Sequence, residues 1–140
     1  GRDDPLPALK VLVVEDQAIN QKVAMRLLEQ LGCRPQCVDN GRKAVDIVRK
    51  ERFDVVFMDM QMPVLDGISA TREIRAGGDH SDVPIIAMTA NAMAREEAEC
   101  RAAGMNGFLA KPIRRKALEG ALRRLVHELK TNESPRTVSV

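Results

Sequence analysis

The chain has 140 residues, 44% hydrophobic and 30% charged, the balance of one globular domain with a core of its own. A formal net charge of +2, three Phe and no Trp or Tyr leave neither the basic excess nor the stacking aromatics of a nucleic-acid binder. No apolar run approaches the roughly 20 residues of a membrane helix, and the charged start Gly1-Arg2-Asp3-Asp4-Pro5 lacks the apolar core of a secretory signal, so a cytoplasmic setting is expected.

Residues 1–9 carry two prolines and read as a linker or tail. The folded unit is expected over 10–130, and 131–140, without periodic apolar positions, reads as a flexible C-terminal tail. Within the unit, short β-branched runs alternate with helix-length amphipathic stretches, the signature of an α/β domain. The first strand is expected over 10–14. A helix over about 18–31 comes next, with Ile19, Val23, Leu27 and Leu31 on one stripe, Ala24 and Leu28 beside it, and Gly32 as its stop. The second strand, 35–38, contains Pro35, which cannot donate to a central ladder, so it belongs at an edge. The third (55–58) and fourth (85–88) strands, like the first, are continuous apolar runs, as expected when helices cover both faces of a parallel sheet. The fourth helix, about 91–103, offers a mostly alanine side in Ala94, Ala98 and Ala102. The fifth strand, 107–110, leads to a last helix over about 114–130 with Leu118, Leu122, Leu125 and Leu129 in step. Five strand–helix pairs with these constraints predict a flavodoxin-like doubly wound five-stranded parallel sheet of order 2-1-3-4-5. Its ligand crevice lies at the carboxyl ends of strands one and three.

Glu15 and Asp16 follow the first strand and Asp59 follows the third, which brings three carboxylates to that crevice. Such a cluster repels itself unless a cation joins it, and hard oxygens with room for water suit Mg²⁺. The plainer alternative makes Asp16 a cap of the first helix. Thr89 at the end of the fourth strand and Lys111 at the end of the fifth add a hydroxyl and an ammonium. That set suits a phosphoryl group, with Asp59 as the nucleophile that forms an aspartyl phosphate. Cys33, Cys37 and Cys100 form no CxxC pair and are expected as reduced thiols. Arg114, Arg115, Lys116, Arg123 and Arg124 read as a solvated helix face.

Val13-Val14-Glu15-Asp16, Met58-Asp59-Met60-Gln61-Met62-Pro63-Val64-Leu65-Asp66-Gly67, Met88-Thr89-Ala90 and Lys111-Pro112 together resemble the receiver domains of response regulators, over about 10–130. The resemblance implies that Glu15 and Asp16 organise Mg²⁺, that Asp59 is both ligand and phosphoacceptor, and that the main-chain carbonyl of Gln61 completes the ligand set. It further implies that Thr89 and Lys111 contact the phosphoryl oxygens, that Thr89 and Phe108 form a switch pair, and that Lys111–Pro112 is cis. Read without it, Phe108 is a core residue. Asp66-Gly67 is expected to make a turn and a helix start.

The run Glu15-Asp16-Gln17-Ala18-Ile19-Asn20-Gln21 and Thr89-Ala90-Asn91-Ala92 are similar to receivers of hybrid histidine kinases and phosphorelays, although Gln17 departs from the Asn usual there. That likeness implies a phosphoacceptor switch rather than an enzyme acting on a separate substrate, one that catalyses its own phosphorylation and dephosphorylation. The phosphoryl donor would be a histidine kinase or histidine phosphotransfer protein, the output a changed surface around the fourth helix and fifth strand, and weak dimerisation is left open. No membrane contact by the domain is expected, except tethering at the inner membrane through a parent sensor kinase. With no output domain in these residues, a single-domain regulator and a part of a larger kinase are both allowed.

Three other functions compete with this one. A haloacid-dehalogenase-type phosphatase needs an acid two residues after its nucleophile, where Gln61 stands. A flavin mononucleotide carrier needs an anion-attracting loop, which Glu15-Asp16 would oppose. A phosphorylation-dead module has no use for Asp59, Thr89 and Lys111 together.

Overall fold

A computed structural model describes residues 5–62, 64–90 and 94–138 of the chain. Its strands β1 (Lys10–Val14), β2 (Arg34–Val38), β3 (Val55–Asp59), β4 (Ile85–Thr89) and β5 (Gly107–Ala110) alternate with helices α1 (Ala18–Gln30), α2 (Gly41–Lys50), α3 (Gly67–Ala76), α4 (Ala94–Ala103) and α5 (Arg115–Val138). All strands are parallel and lie in the order β2-β1-β3-β4-β5, as expected. Every residue of β3 and β4 is buried, whereas β2, with Pro35 at the sheet edge, is partly exposed.

Strand alternation divides the core into two layers. Leu12, Val14, Val56, Met58, Ile85 and Ala87 point toward α2, α3 and α4, where Val45, Val48, Ile74 and Cys100 meet them. Val11, Val13, Val55, Phe57, Ile86 and Met88 point the other way, onto Ala24 and Leu28 of α1 and Leu118, Leu122 and Leu125 of α5. Two helices start on side-chain caps: Asn40 accepts from Lys43 N at 2.8 Å, and Asp66 accepts from Ser69 N at 2.8 Å. Among the described residues no helix is long and apolar enough to cross a membrane.

Three helix expectations are corrected. The fully buried residues of α1 are Ala24 and Leu28, which face the sheet; of the expected stripe, Leu27 and Leu31 pack partly against the core, while Ile19 and Val23 stand 76% and 44% exposed. In α4 the packed residues are Cys100 and Ala103, and Ala98 and Ala102 face solvent. Alanine is nearly neutral in transfer, so it marks a face poorly. The expected start of α4 at 91–93 and the Ala94 side chain lie outside the described residues, as does Pro63. The backbone of α5 runs to Val138 rather than to about 130, and Leu129 is exposed instead of continuing the buried stripe.

Candidate functional site

Register decides which side chains meet. Val14 pairs with Met58, so Glu15 emerges beside Asp59, the last residue of β3 rather than the first after it. Asp59 pairs with Met88, and Thr89 with Ala110, so Thr89 and Lys111 emerge on the next two strand ends. Main-chain bonds extend the ladder into the loops: Glu15 N donates to Val38 O at 3.0 Å, Met60 N to Met88 O at 3.1 Å and Lys111 N to Thr89 O at 2.7 Å. The loop after β3 is held close by Gly67. A Cβ there would run into the Asp59 carbonyl oxygen and sit 3.1 Å from Met60 Cα, so α3 can begin against the site only with glycine at its first position.

One oxygen from each of Glu15, Asp16 and Asp59 lies within 4.8 Å of the others. Glu15 and Asp59 are buried and Asp16 is exposed. Lys111 Nζ stands 2.9 Å from Asp59 Oδ1 and 3.4 Å from Glu15 Oε1. Asp59 Oδ1 also accepts from Gln61 N at 3.1 Å, and Glu15 Oε2 from Gln17 N at 3.1 Å. Two of the three clustered carboxylates thus share the Lys111 ammonium. Burial raises the Glu15 carboxyl above its ordinary range, and the Asp59 charge adds to this against the lowering by Gln17 N–H and Lys111. For Lys111, burial alone would lower the ammonium, but Asp59 and Glu15 outweigh it and the net shift is upward.

Helix capping does not account for Asp16. The N-cap of α1 is Gln17, which makes no side-chain cap bond. An exposed carboxylate beside two buried ones and short of cations fits a divalent ion bound through hard oxygens. Thr89 is buried, and its hydroxyl donates to the carboxylate of Glu96 in the first turn of α4. Phe108 is half-buried against the core layer that holds Cys100 and Met105. The Lys111–Pro112 peptide is cis, as the resemblance implies.

A family model described as the response regulator receiver domain matches residues 11–123. The chain belongs to the response regulator receiver family. This receiver is 33% identical over 135 residues to hybrid signal transduction histidine kinase K of Dictyostelium discoideum, a match covering 91% of the chain and 11% of that kinase. It therefore spans about a tenth of that relative's length. Among solved structures it is 44% identical to the receiver domain of the sensor histidine kinase PA1611 of Pseudomonas aeruginosa PAO1, with a TM-score of 0.79 and coverage of 86% of this chain and 99% of that one. That structure has a magnesium ion coordinated in its active-site cleft. The receiver domain of the Saccharomyces cerevisiae response regulator Ssk1, co-crystallised with the histidine phosphotransfer protein Ypd1, is 30% identical with a TM-score of 0.78, covering 85% of this chain and 89% of that one.

Every side chain expected at the receiver's strand ends is there: Glu15, Asp16, Asp59, Thr89 and Lys111. The residue that sequence reasoning missed is Glu96. It is one of three glutamates in Glu96-Glu97-Ala98-Glu99, and nothing in the sequence distinguishes the one that reaches back to Thr89.

Proposed function

We propose that this receiver is a phosphoacceptor switch in which Asp59 takes a phosphoryl group from a phosphohistidine, with Glu15, Asp16, Asp59 and the main-chain carbonyl of Gln61 as the Mg²⁺ ligands. The observation that carries the reading is a buried Asp59 carboxylate 2.9 Å from the Lys111 ammonium, with two more carboxylates at its side. A bound Mg²⁺ supplies charge neutralisation for an anion entering this acidic crevice. Asp59 attacks phosphorus with a carboxylate oxygen. The new P–O bond forms as the P–N bond to the donor imidazole breaks, and the imidazole keeps the bonding pair and leaves as a neutral base once protonated. Lys111 is positioned to donate to one phosphoryl oxygen, and the Thr89 hydroxyl donates to another.

The partner is a histidine kinase or histidine phosphotransfer protein. Support comes from the Ssk1–Ypd1 likeness and from the outward Ile19 and Val23 of α1, which offer apolar area beside the crevice. Thr89 and Phe108 are the switch pair: as Thr89 turns toward the phosphoryl group, the half-buried Phe108 fills the space it leaves, and the surface from α4 to β5 changes. The ligand can shift this equilibrium only by its differential affinity for the two states.

Acetyl phosphate or beryllofluoride with Mg²⁺ tests the assignment. Wild type takes up one group, seen in intact mass or in shifted amides around 15–16, 59–61 and 89. Asp59→Asn takes up none. Equal modification of that variant removes Asp59 from its role.

A further inference from the structure

The hydroxyl that the proposed switch needs is already engaged. Thr89 is 2% exposed, and its Oγ1 donates to Oε1 of half-buried Glu96. A threonine hydroxyl has one proton, so it serves one acceptor well at a time. A phosphoryl group on Asp59 must therefore compete with the Glu96 carboxylate, and both competitors are anionic.

Resting on the reading of Asp59 as phosphoacceptor, we infer that Glu96 is a positioning residue that holds Thr89 away from the crevice in the resting receiver and sets the threshold for phosphorylation. When the new dianion claims the Thr89 proton, Glu96 is left with a like charge ahead of it and no donor from Thr89. The first turn of α4, which carries Glu96, then loses a tether to β4. Breaking this one bond couples the chemistry at the strand ends to the helix whose surface is to change. The competing explanation is that Glu96 is merely an acid favoured at a helix N-terminus. That role has no dependence on Thr89.

A double-mutant cycle separates the two, with beryllofluoride plus Mg²⁺ as the probe. Glu96→Ala binds beryllofluoride about tenfold more tightly than wild type, the scale of losing one charge-assisted competitor. In a Thr89→Ala background the same Glu96 substitution changes affinity by less than about twofold. A second readout needs no metal or ligand: the Thr89 methyl carbon shift reports one side-chain rotamer in the resting wild type and rotamer averaging in Glu96→Ala. Equal tightening in both backgrounds, or an unchanged Thr89 rotamer, overturns the inference. If wild type itself fails to bind beryllofluoride, the reading of Asp59 fails, a result distinct from normal wild-type binding with an inert Glu96.

Discussion

At the amino ends of the strands, Lys10 donates its N–H to Asp54 Oδ2 at 2.7 Å and its ammonium to Glu51 at 2.8 Å. Nearby, Arg75 spends its guanidinium on Gly104 O at 2.9 Å, Ser81 O at 2.7 Å and Asn106 Oδ1 at 2.9 Å, and Asn106 Oδ1 also accepts from Ile85 N. At the carboxyl ends, Glu15 and Asp59 share the ammonium of Lys111, with the Asp16 carboxylate beside them. The first end pairs the donors of Lys10 and Arg75 with acceptors and holds the fold together. The second leaves negative charge in excess, which costs stability and is useful only if a cation and a phosphoryl group arrive.

The comparison breaks first, and most visibly, at Arg75. Arg75→Ala removes three hydrogen bonds, with Asn106 Oδ1 keeping its Ile85 N donor, and is expected to cost about 2–3 kcal/mol in urea unfolding, near 1 kcal/mol for each hydrogen bond. A cost well below 1 kcal/mol would mean that this end is not the stabilising one.

On the apolar flank of the crevice, Val23→Lys is expected to slow transfer from a histidine phosphotransfer protein about tenfold, the scale of one interface anchor. Phosphorylation by acetyl phosphate should slow much less, because Val23 flanks the crevice beside Glu15 and Lys111 but a small donor has no surface to dock on α1. Equal slowing with both donors would remove α1 from the docking surface.

A smaller effect of opposite sign is expected at Glu15. Its carboxyl sits above the ordinary range, so the folded state holds that proton more tightly than the unfolded one. The linked stability is full below the unfolded value and is lost as pH rises through the folded value, so at neutral pH the ionised side chain burdens the metal-free fold. Glu15→Gln should therefore raise the melting temperature without Mg²⁺ and lose the further rise that Mg²⁺ gives wild type. A lower melting temperature in metal-free buffer would refute the excess-charge account.

The smallest effect compares two thiols. Cys37 is pushed up to about 11, by burial first and then by Glu15 and Asp39, whereas Cys33 is raised by burial, with Asp54 as its charged neighbour. Both should alkylate slowly near pH 8, where little thiolate exists. Mg²⁺ should speed Cys37 by about two- to threefold, as a cation beside Glu15 offsets part of its field, and leave Cys33 unaffected. A response at Cys33 would show that the ion acts somewhere other than the crevice.

Much of this was legible in the sequence, because apolar β-branched runs locate strands and an edge proline orders them. Once the strand ends are known, Glu15, Asp59, Thr89 and Lys111 converge by topology alone. Helix faces were less legible. Ile19 and Val23 are as apolar as a core stripe, and only the packing of Ala24 and Leu28 onto the sheet decides that they face outward. Glu96 was invisible because its role depends on how α4 sits over β4, a tertiary fact with no local pattern. Gly67 read as a turn residue, and its main-chain approach to Asp59 emerged only from packing.

Glu15, Asp59, Thr89 and Lys111 lie 44, 30 and 22 residues apart along the chain, and each sits on a different strand end. The site therefore has no local precursor: no hairpin or single strand–helix unit contains it, and it comes into being only when β1, β3, β4 and β5 have all docked. An ion held by Glu15, Asp16 and Asp59 binds the assembled sheet and not the unfolded chain, so by mass action it shifts the folding equilibrium, by about 1.4 kcal/mol at ten times its dissociation constant. Occupancy of the crevice is then also a measure of whether the sheet has closed, which ties the competence to receive a signal to the completion of folding.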